Sequence, residues 1–204
     1  MKVKRLILGA MAVNCYVVYD ESSRHCLIID PGDIGKKVHN FIVENELQPL
    51  AILLTHSHFD HIGAVDYLVD RYHVPVYIHS EGIVAANDPN MNLSCHYTPM
   101  ALRSALFASD DLDSIGEFRF EYLHLPGHTP DSCMIYFKDQ NAIFSGDVLF
   151  QGAIGRFDFP NSSRFDTRNT IEKIKKMEFD AVVYPGHGDP TTLQEEQKSN
   201  YYLT

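Results

Sequence analysis

The sequence predicts a mixed α/β (α+β) fold of four layers, two mainly antiparallel sheets packed face to face with helices on their outer faces. Three observations lead there. The first half runs as short strands followed by a β-α-β unit, and the second half repeats that order loosely. Apolar residues switch between strand-length runs and helical spacing. No linker-like shift, repeat or low-complexity stretch divides the 204 residues, so residues 1–204 are expected to form one domain.

The first third reads as strands at Lys2–Leu8, Cys15–Tyr19 and Cys26–Ile29, each short and rich in β-branched or aromatic residues. "ESSRH" is a hairpin connection, and "DPGD" (Asp30–Asp33) has turn chemistry. A helix is expected over Ile34–Asn45, where Ile34, Val38, Phe41 and Ile42 share a face. "LAILLT" (Leu50–Thr55) is a continuous apolar run, the pattern of a central strand. A helix over Ile62–Tyr72 and a strand over Val74–His79 follow. Residues 88–114 are polar, contain Pro89 and Pro99, and hold one helical candidate, Met100–Phe107. A connection of that length is expected to act as a loop or lid. Strands resume at Phe118–Leu123, Cys133–Phe137 and Ala142–Ser145. A helix at Phe165–Met177, a strand at Ala181–Tyr184 and a last helix from about Thr192 complete the chain.

Hydrophobic residues make up 45% and charged residues 22%, the composition of a soluble globular protein. The net charge of −10 argues against nucleic acid or a basic membrane patch as partner. It leaves an anionic small molecule open, because local metal charge can reverse the field. Cys15, Cys26, Cys95 and Cys133 show no CxxC pair, which points to free thiols in a reducing, cytoplasmic setting. No apolar run is long enough to span a membrane. The start, "MKVKRLILGAMAVNCYVV", loosely resembles a signal peptide; the favoured reading is a first strand and turn. That exposed strand is a surface on which a second copy could pair, and no feature demands one.

The chemistry concentrates in "LLTHSHFDHIGA" (Leu53–Ala64). If the chain stays extended past Leu50–Thr55, His56, His58 and Asp60 share one face, and His61 follows as a helix begins. Asp60 is also a plausible helix N-cap, and any one of these histidines alone would suit an ordinary loop. Three later stretches repeat one device, an apolar strand followed by glycine and a ligand-type side chain. They are "LPGHTP" with His128, "FSGDVL" with Asp147 and "YPGHGD" with His187. Gly127, Gly146 and Gly186 let backbone approach a crowded site. Together the seven side chains read as a metal site. The other histidines lack this setting, although His79 ends a strand near enough to support a ligand.

These motifs are those of the metallo-β-lactamase superfamily. "THSHFDH" resembles its HxHxDH signature, and His128, Asp147 and His187 match its later ligands in order and spacing. Within it, "SGDVLFQGAIGRFDFP" looks like the glyoxalase II-type hydrolases, and the chain resembles their short form without a glutathione-binding helical domain. By resemblance, His56, His58 and His128 would hold one metal, Asp60, His61 and His187 a second, with Asp147 between. All-imidazole and carboxylate donors suit two divalent ions, zinc first, iron or manganese also. No cysteine occupies a ligand position, which disfavours a β-lactamase.

The resemblance implies hydrolysis of a hydroxyacylglutathione thioester, such as S-lactoylglutathione, by a metal-bridging hydroxide that Asp60 helps orient. Two divalent metals, two aspartates and that hydroxide leave about +1 at the site, a pull on an anionic thioester. A thiolate, with a conjugate-acid pKa of about 8.5, leaves without a dedicated general acid, and none is evident here. Asp30, Thr55 and Thr129 are candidates to orient the histidines. Tyr97, with His96, is a candidate to cover the cleft, and Arg156 to hold an anionic carrier, although an Arg beside an Asp also suits an ion pair. Phe150, Phe157 and Phe159 are core or cleft residues. The alternative from another reaction class is a mononuclear iron persulfide dioxygenase acting on glutathione persulfide, using His56, His128 and Asp147 alone.

Overall fold

The computed structural model describes residues 1–204. Six strands form a first sheet in chain order: β1 (Lys2–Leu8), β2 (Val13–Tyr19), β3 (His25–Ile29), β4 (Gln48–Leu53), β5 (Val76–Ile78) and β6 (Leu106–Ala108). A small hairpin, β7 (Ser114–Ile115) and β8 (Phe118–Arg119), follows. Next come β9 (Glu121–His124), β10 (Cys133–Phe137), β11 (Ala142–Gly146), a second hairpin of β12 (Leu149–Phe150) and β13 (Ala153–Ile154), then β14 (Val182–Pro185) and β15 (Thr191–Thr192). The second sheet has the order β15-β14-β11-β10-β9. The helices are α1 (Gly35–Glu44), α2 (Phe59–Ile62), α3 (Val65–Tyr72), α4 (Gly82–Ala85), α5 (Arg164–Lys175) and α6 (Leu193–Ser199).

Strand alternation generates three apolar layers. Cys15 and Val17 of β2, Cys26 and Ile28 of β3, and Ile52 of β4 pack with Val38, Ile42, Val65 and Leu68 of α1 and α3. Their neighbours Tyr16, Val18, Leu27, Ile29 and Leu53 face Ile135, Phe137 and Phe144 of the second sheet. Met134, Tyr136 and Ile143 turn outward onto Ile174 of α5 and Leu193 of α6. Both sheets are therefore apolar on both faces, the four-layer arrangement the sequence predicts. Lys2–Leu8 and Val13–Tyr19 form the first two strands of this sandwich. Two sequence signals set the last helices: Ser163 caps α5 by accepting from Asp166 N, and Thr192 caps α6 by accepting from Glu195 N.

The structure departs from expectation in five places, the first being that the strand expected over Phe118–Leu123 divides into β8 of the small hairpin and β9 of the second sheet. The first sheet is mixed: β1-β2 and β2-β3 are antiparallel, but β3-β4, β4-β5 and β5-β6 are parallel, because helical crossovers connect them. In the second sheet only β11-β14 is parallel. The helix expected over Ile62–Tyr72 is broken into α2 and α3 at Gly63–Ala64. Met100–Phe107 is not helical. The Asp66 carboxylate accepts from the backbone N–H groups of Arg103 and Ser104, which pulls the segment across α3, and Leu106–Ala108 then adds to the edge of β5. Asp60 is not a helix cap; His58 holds that position and Asp60 lies within the first turn of α2.

The parallel pairs matter for the site. They align the carboxyl ends of β3 and β4 in one sheet, and of β11 and β14 in the other, where ligands of α/β sheets gather. Cys133 N–H donates to Thr55 O (2.9 Å) and Tyr16 O–H donates to Pro185 O (2.7 Å), tying the two sheets together there. The turn after β3 seats directly on α2. A Cβ on Gly32 would overlap the Asp60 carbonyl, and one on Gly63 would overlap the Gly32 carbonyl. Gly32→Ala is expected to destabilise the fold by about 3 kcal/mol through this backbone overlap. Gly152 has φ +69° but open space around it, so Gly152→Ala should cost only the left-handed strain of about 1 kcal/mol. Urea unfolding of the two variants checks this; equal losses would mean the Gly32 contact is not tight.

Candidate metal centre

Each donor leaves the end of a strand or opens a short helix. His56 and His58 follow β4, Asp60 and His61 lie on α2, His128 is in the β9–β10 connection, Asp147 follows β11 and His187 follows β14. The structure brings all seven together. Three groups have their donor atoms within 4.8 Å of one another: His56, His58 and His128; His56, His61 and Asp147; and Asp60, His61 and His187. Asp147 lies between the outer two groups. Its Oδ1 is 3.3 Å from His61 Nε2, and its Oδ2 is 3.6 Å from His128 Nε2 and 3.7 Å from His187 Nε2. Asp60 Oδ2 is 3.2 Å from His187 Nε2.

Hydrogen bonds behind the rings fix which nitrogen is free. Asp30, buried and in left-handed backbone at φ +48°, accepts from Thr55 N–H (2.8 Å), the Thr55 hydroxyl (2.6 Å) and His61 Nδ1–H (2.9 Å). Because the Thr55 hydroxyl donates to Asp30, it can only accept from His56 Nδ1–H, 3.1 Å away. His128 Nδ1–H donates to the Arg156 carbonyl (2.7 Å). His56, His61 and His128 therefore turn Nε2 toward one space, where His128 Nε2 also meets His58 Nδ1 at 3.0 Å. His56 Nε2, His58 Nε2, His61 Nε2 and Asp147 Oδ1 are buried without any partner. Buried polar atoms are rarely left so, and the three on His56, His61 and Asp147, which form one donor group, fit a cation.

The titration pattern agrees at five of the seven donors, and His61 and His187 must give up protons to ligate. Burial holds His56 and His128 below the usual imidazole range, and holds His58 down at about 3, with neighbouring histidines adding to the effect at His56 and His58. Burial opposes charge on Asp147 and Asp60, but the facing histidines outweigh it and keep both carboxyls low. Burial likewise disfavours a proton on His61 and His187, and the surrounding carboxylates outweigh it and raise both. Neutral imidazoles and ionised carboxylates are the forms that ligate metals. The donor set fits divalent ions of the zinc, iron or manganese kind.

Of the supporting residues the sequence singled out, Asp30 and Thr55 stand behind His61 and His56. Thr129 does not reach a histidine; its hydroxyl pairs with Ser132 Oγ at 2.7 Å and caps the turn. Arg156 reaches the site through its backbone carbonyl, while its guanidinium makes a two-pronged pair with Asp158 (2.9 and 3.1 Å). Tyr97 packs on Phe59 at the cleft mouth, ring centroids 4.7 Å apart. Phe150 and Phe159 line the cleft. His79 stacks on His124 at 3.8 Å and touches no ligand. Sequence reading missed Asp131, whose buried carboxylate accepts from the Ser57 hydroxyl (3.1 Å) between the two ligand histidines. Burial pushes Asp131 up to about 6. No spacing rule marks it; only the folded turn after His128 brings it under Ser57.

The sequence profile described as the metallo-beta-lactamase superfamily matches residues 8–187. The chain belongs to that superfamily. Among superfamily relatives, the probable metallo-hydrolase YqgX of Bacillus subtilis is 38% identical, over 100% of this chain and 98% of the relative. The hydroxyacylglutathione hydrolase GloC of Haemophilus influenzae is 32% identical, over 100% and 98%. Two solved structures are similar throughout. The B3 metallo-beta-lactamase BLEG-1 aligns with a TM-score of 0.93 and 37% identity, over all of both chains. TTHA1623, solved in a di-iron-bound form, aligns with a TM-score of 0.84 and 34% identity, over 98% of this chain and 100% of that one. Family and donor cluster together make this chain a metallo-hydrolase. No helix is long and apolar enough to cross a membrane, and all four cysteines are unpaired.

Two expectations follow. Asp30→Ala leaves Thr55 N–H, the Thr55 hydroxyl and His61 Nδ1–H without an acceptor. It should weaken Zn²⁺ binding about 10- to 100-fold in a chelator competition; unchanged affinity would deny Asp30 its orienting role. Zn²⁺ added to metal-free protein at pH 7 should release protons, because the raised pKa values of His61 and His187 let them hold protons that the ion must displace. By the same sign, affinity should rise from pH 6 to pH 8. A pH-indicator titration reads the release, and proton uptake would contradict it.

Proposed function

We propose that this metallo-hydrolase holds two divalent metal ions, most simply zinc, and hydrolyses thioesters of the hydroxyacylglutathione type. The observation that carries the proposal is the pairing of two three-residue donor groups, His56/His58/His128 and Asp60/His61/His187, across the Asp147 carboxylate. When bound, the metals would polarise the acyl carbonyl and bring a water's pKa toward neutrality. The protein's own part is to aim that chemistry. Asp30 and Thr55 fix the faces of His61 and His56, and the Arg156 carbonyl fixes His128. Asp60, buried to 12% side-chain exposure beside His187, is placed to orient a nucleophilic water as well as to ligate.

In the reaction the water oxygen bonds to the acyl carbon and the C–S bond breaks. The thiolate leaves with the bonding pair, the acyl group departs as a carboxylate, and the water's two protons pass to solvent. A thiolate is stable enough to leave unprotonated near neutral pH. The hydroxyacylglutathione hydrolase GloC among the full-length relatives supports the thioester reading, and di-iron TTHA1623 leaves iron as well as zinc in play.

Elemental analysis and a thiol-release assay test the proposal together. It expects two metals per chain, free thiol from S-lactoylglutathione, and kcat lowered about 100-fold or more by Asp60→Ala, on the scale of losing an orienting or acid–base group. One iron per chain with oxygen uptake on glutathione persulfide would replace it with the dioxygenase reading. Hydrolysis unchanged in Asp60→Ala would end the two-metal mechanism.

A further inference from the structure

The donor atoms form the floor of a cleft of about 470 Å³, and its walls are apolar apart from His96 and Arg156. On the His58/His128 side, Phe159 stands edge-on to both rings, centroids 5.5 and 5.7 Å away. On the opposite side, Phe150 stands edge-on to His187 at 6.2 Å. Phe59 packs with Tyr97 over the mouth, and Met11 and Ile154 continue the surface. Met11 is 45% and Tyr97 62% exposed, so apolar side chains face solvent around the site. Contiguous exposed apolar surface at a cleft marks a ligand that covers it. Arg156, the cation in this wall, is neutralised by Asp158 and lies 4.3 Å from the Phe159 ring centre. Its guanidinium thus extends the flat wall rather than standing as a free charge.

We propose that this cleft selects thioesters whose acyl group is an unbranched or aromatic apolar body of several carbons, in preference to a small hydroxyacyl group. The inference rests on the thioesterase reading, keeps its glutathione thioester and replaces its hydroxyacyl group with an apolar one. Of the two halves of an acylglutathione, the peptide carries carboxylates and amides that require water or hydrogen-bond partners. The acyl half is the part that aromatic walls can desolvate with gain. Tyr97 and Phe159 are the specificity-determining residues, Phe159 beside the His58 and His128 rings and Tyr97 packed on Phe59 in the cleft lining.

The test uses the metal-loaded protein with S-acetyl-, S-butanoyl-, S-hexanoyl- and S-octanoylglutathione beside S-lactoylglutathione, following thiol release. With one leaving group throughout, kcat/KM should rise about two- to four-fold for each added methylene that the walls cover. Calorimetry of the non-hydrolysable S-hexyl- and S-octylglutathione supplies a second readout, with tighter binding for the longer chain in both metal-loaded and metal-free protein. Tyr97→Ala, at an exposed position that does not threaten folding, should flatten both trends. Rates that are flat or fall with chain length, with the lactoyl ester hydrolysed best, would overturn this inference while leaving the thioesterase reading intact. No thiol from any of the five esters would end both.

Discussion

The site depends on one buried carboxylate. Asp30 sits at the end of β3, in left-handed backbone, and accepts from Thr55 N–H, the Thr55 hydroxyl and His61 Nδ1–H. Those three bonds join the end of β3 to the end of β4 and to α2. They also settle two imidazole tautomers, one directly and one through the Thr55 hydroxyl. The rest of the donor geometry is built around that knot. The parallel pairing of β3 with β4 puts Asp30 beside Thr55, and the Gly32 turn lets α2 lie close enough for His61 to reach it.

The cost of this arrangement is visible in the donor cluster itself. Imidazole and carboxylate atoms are buried without partners, and burial and carboxylates pull the histidines in opposite directions, His56, His58 and His128 down, His61 and His187 up. A fold keeps such a cluster only if the surrounding frame is over-determined. Three apolar layers, the Tyr16–Pro185 bond and the Cys133–Thr55 bond between the sheets provide that frame. A cation there would satisfy the orphaned lone pairs.

Much of this was legible in the chain. His56, His58, Asp60 and His61 stand in one seven-residue motif, and His128, Asp147 and His187 each follow an apolar strand and a glycine, so strand ends alone predicted their convergence. Asp30 and Thr55 were legible as strand-end polar residues next to that motif. Strand direction was not, because apolar alternation is the same in parallel and antiparallel pairs. Met100–Phe107 misled because its helical spacing is local, while Asp66 captures its backbone from a distant helix. Asp131 and the Arg156 carbonyl were invisible because each acts through a tertiary contact, one of them made by backbone that carries no sequence signature.

The central claim is that two cations occupy this cluster, one within His56/His58/His128 and one within Asp60/His61/His187. Anomalous diffraction from crystals of the zinc- or iron-loaded protein, recorded at the metal edge, tests it directly. The account predicts two peaks per chain about 3.5–4 Å apart, on either side of the Asp147 carboxylate. A single peak held by His56, His128 and Asp147, with Asp60 and His187 turned away from it, would contradict the account.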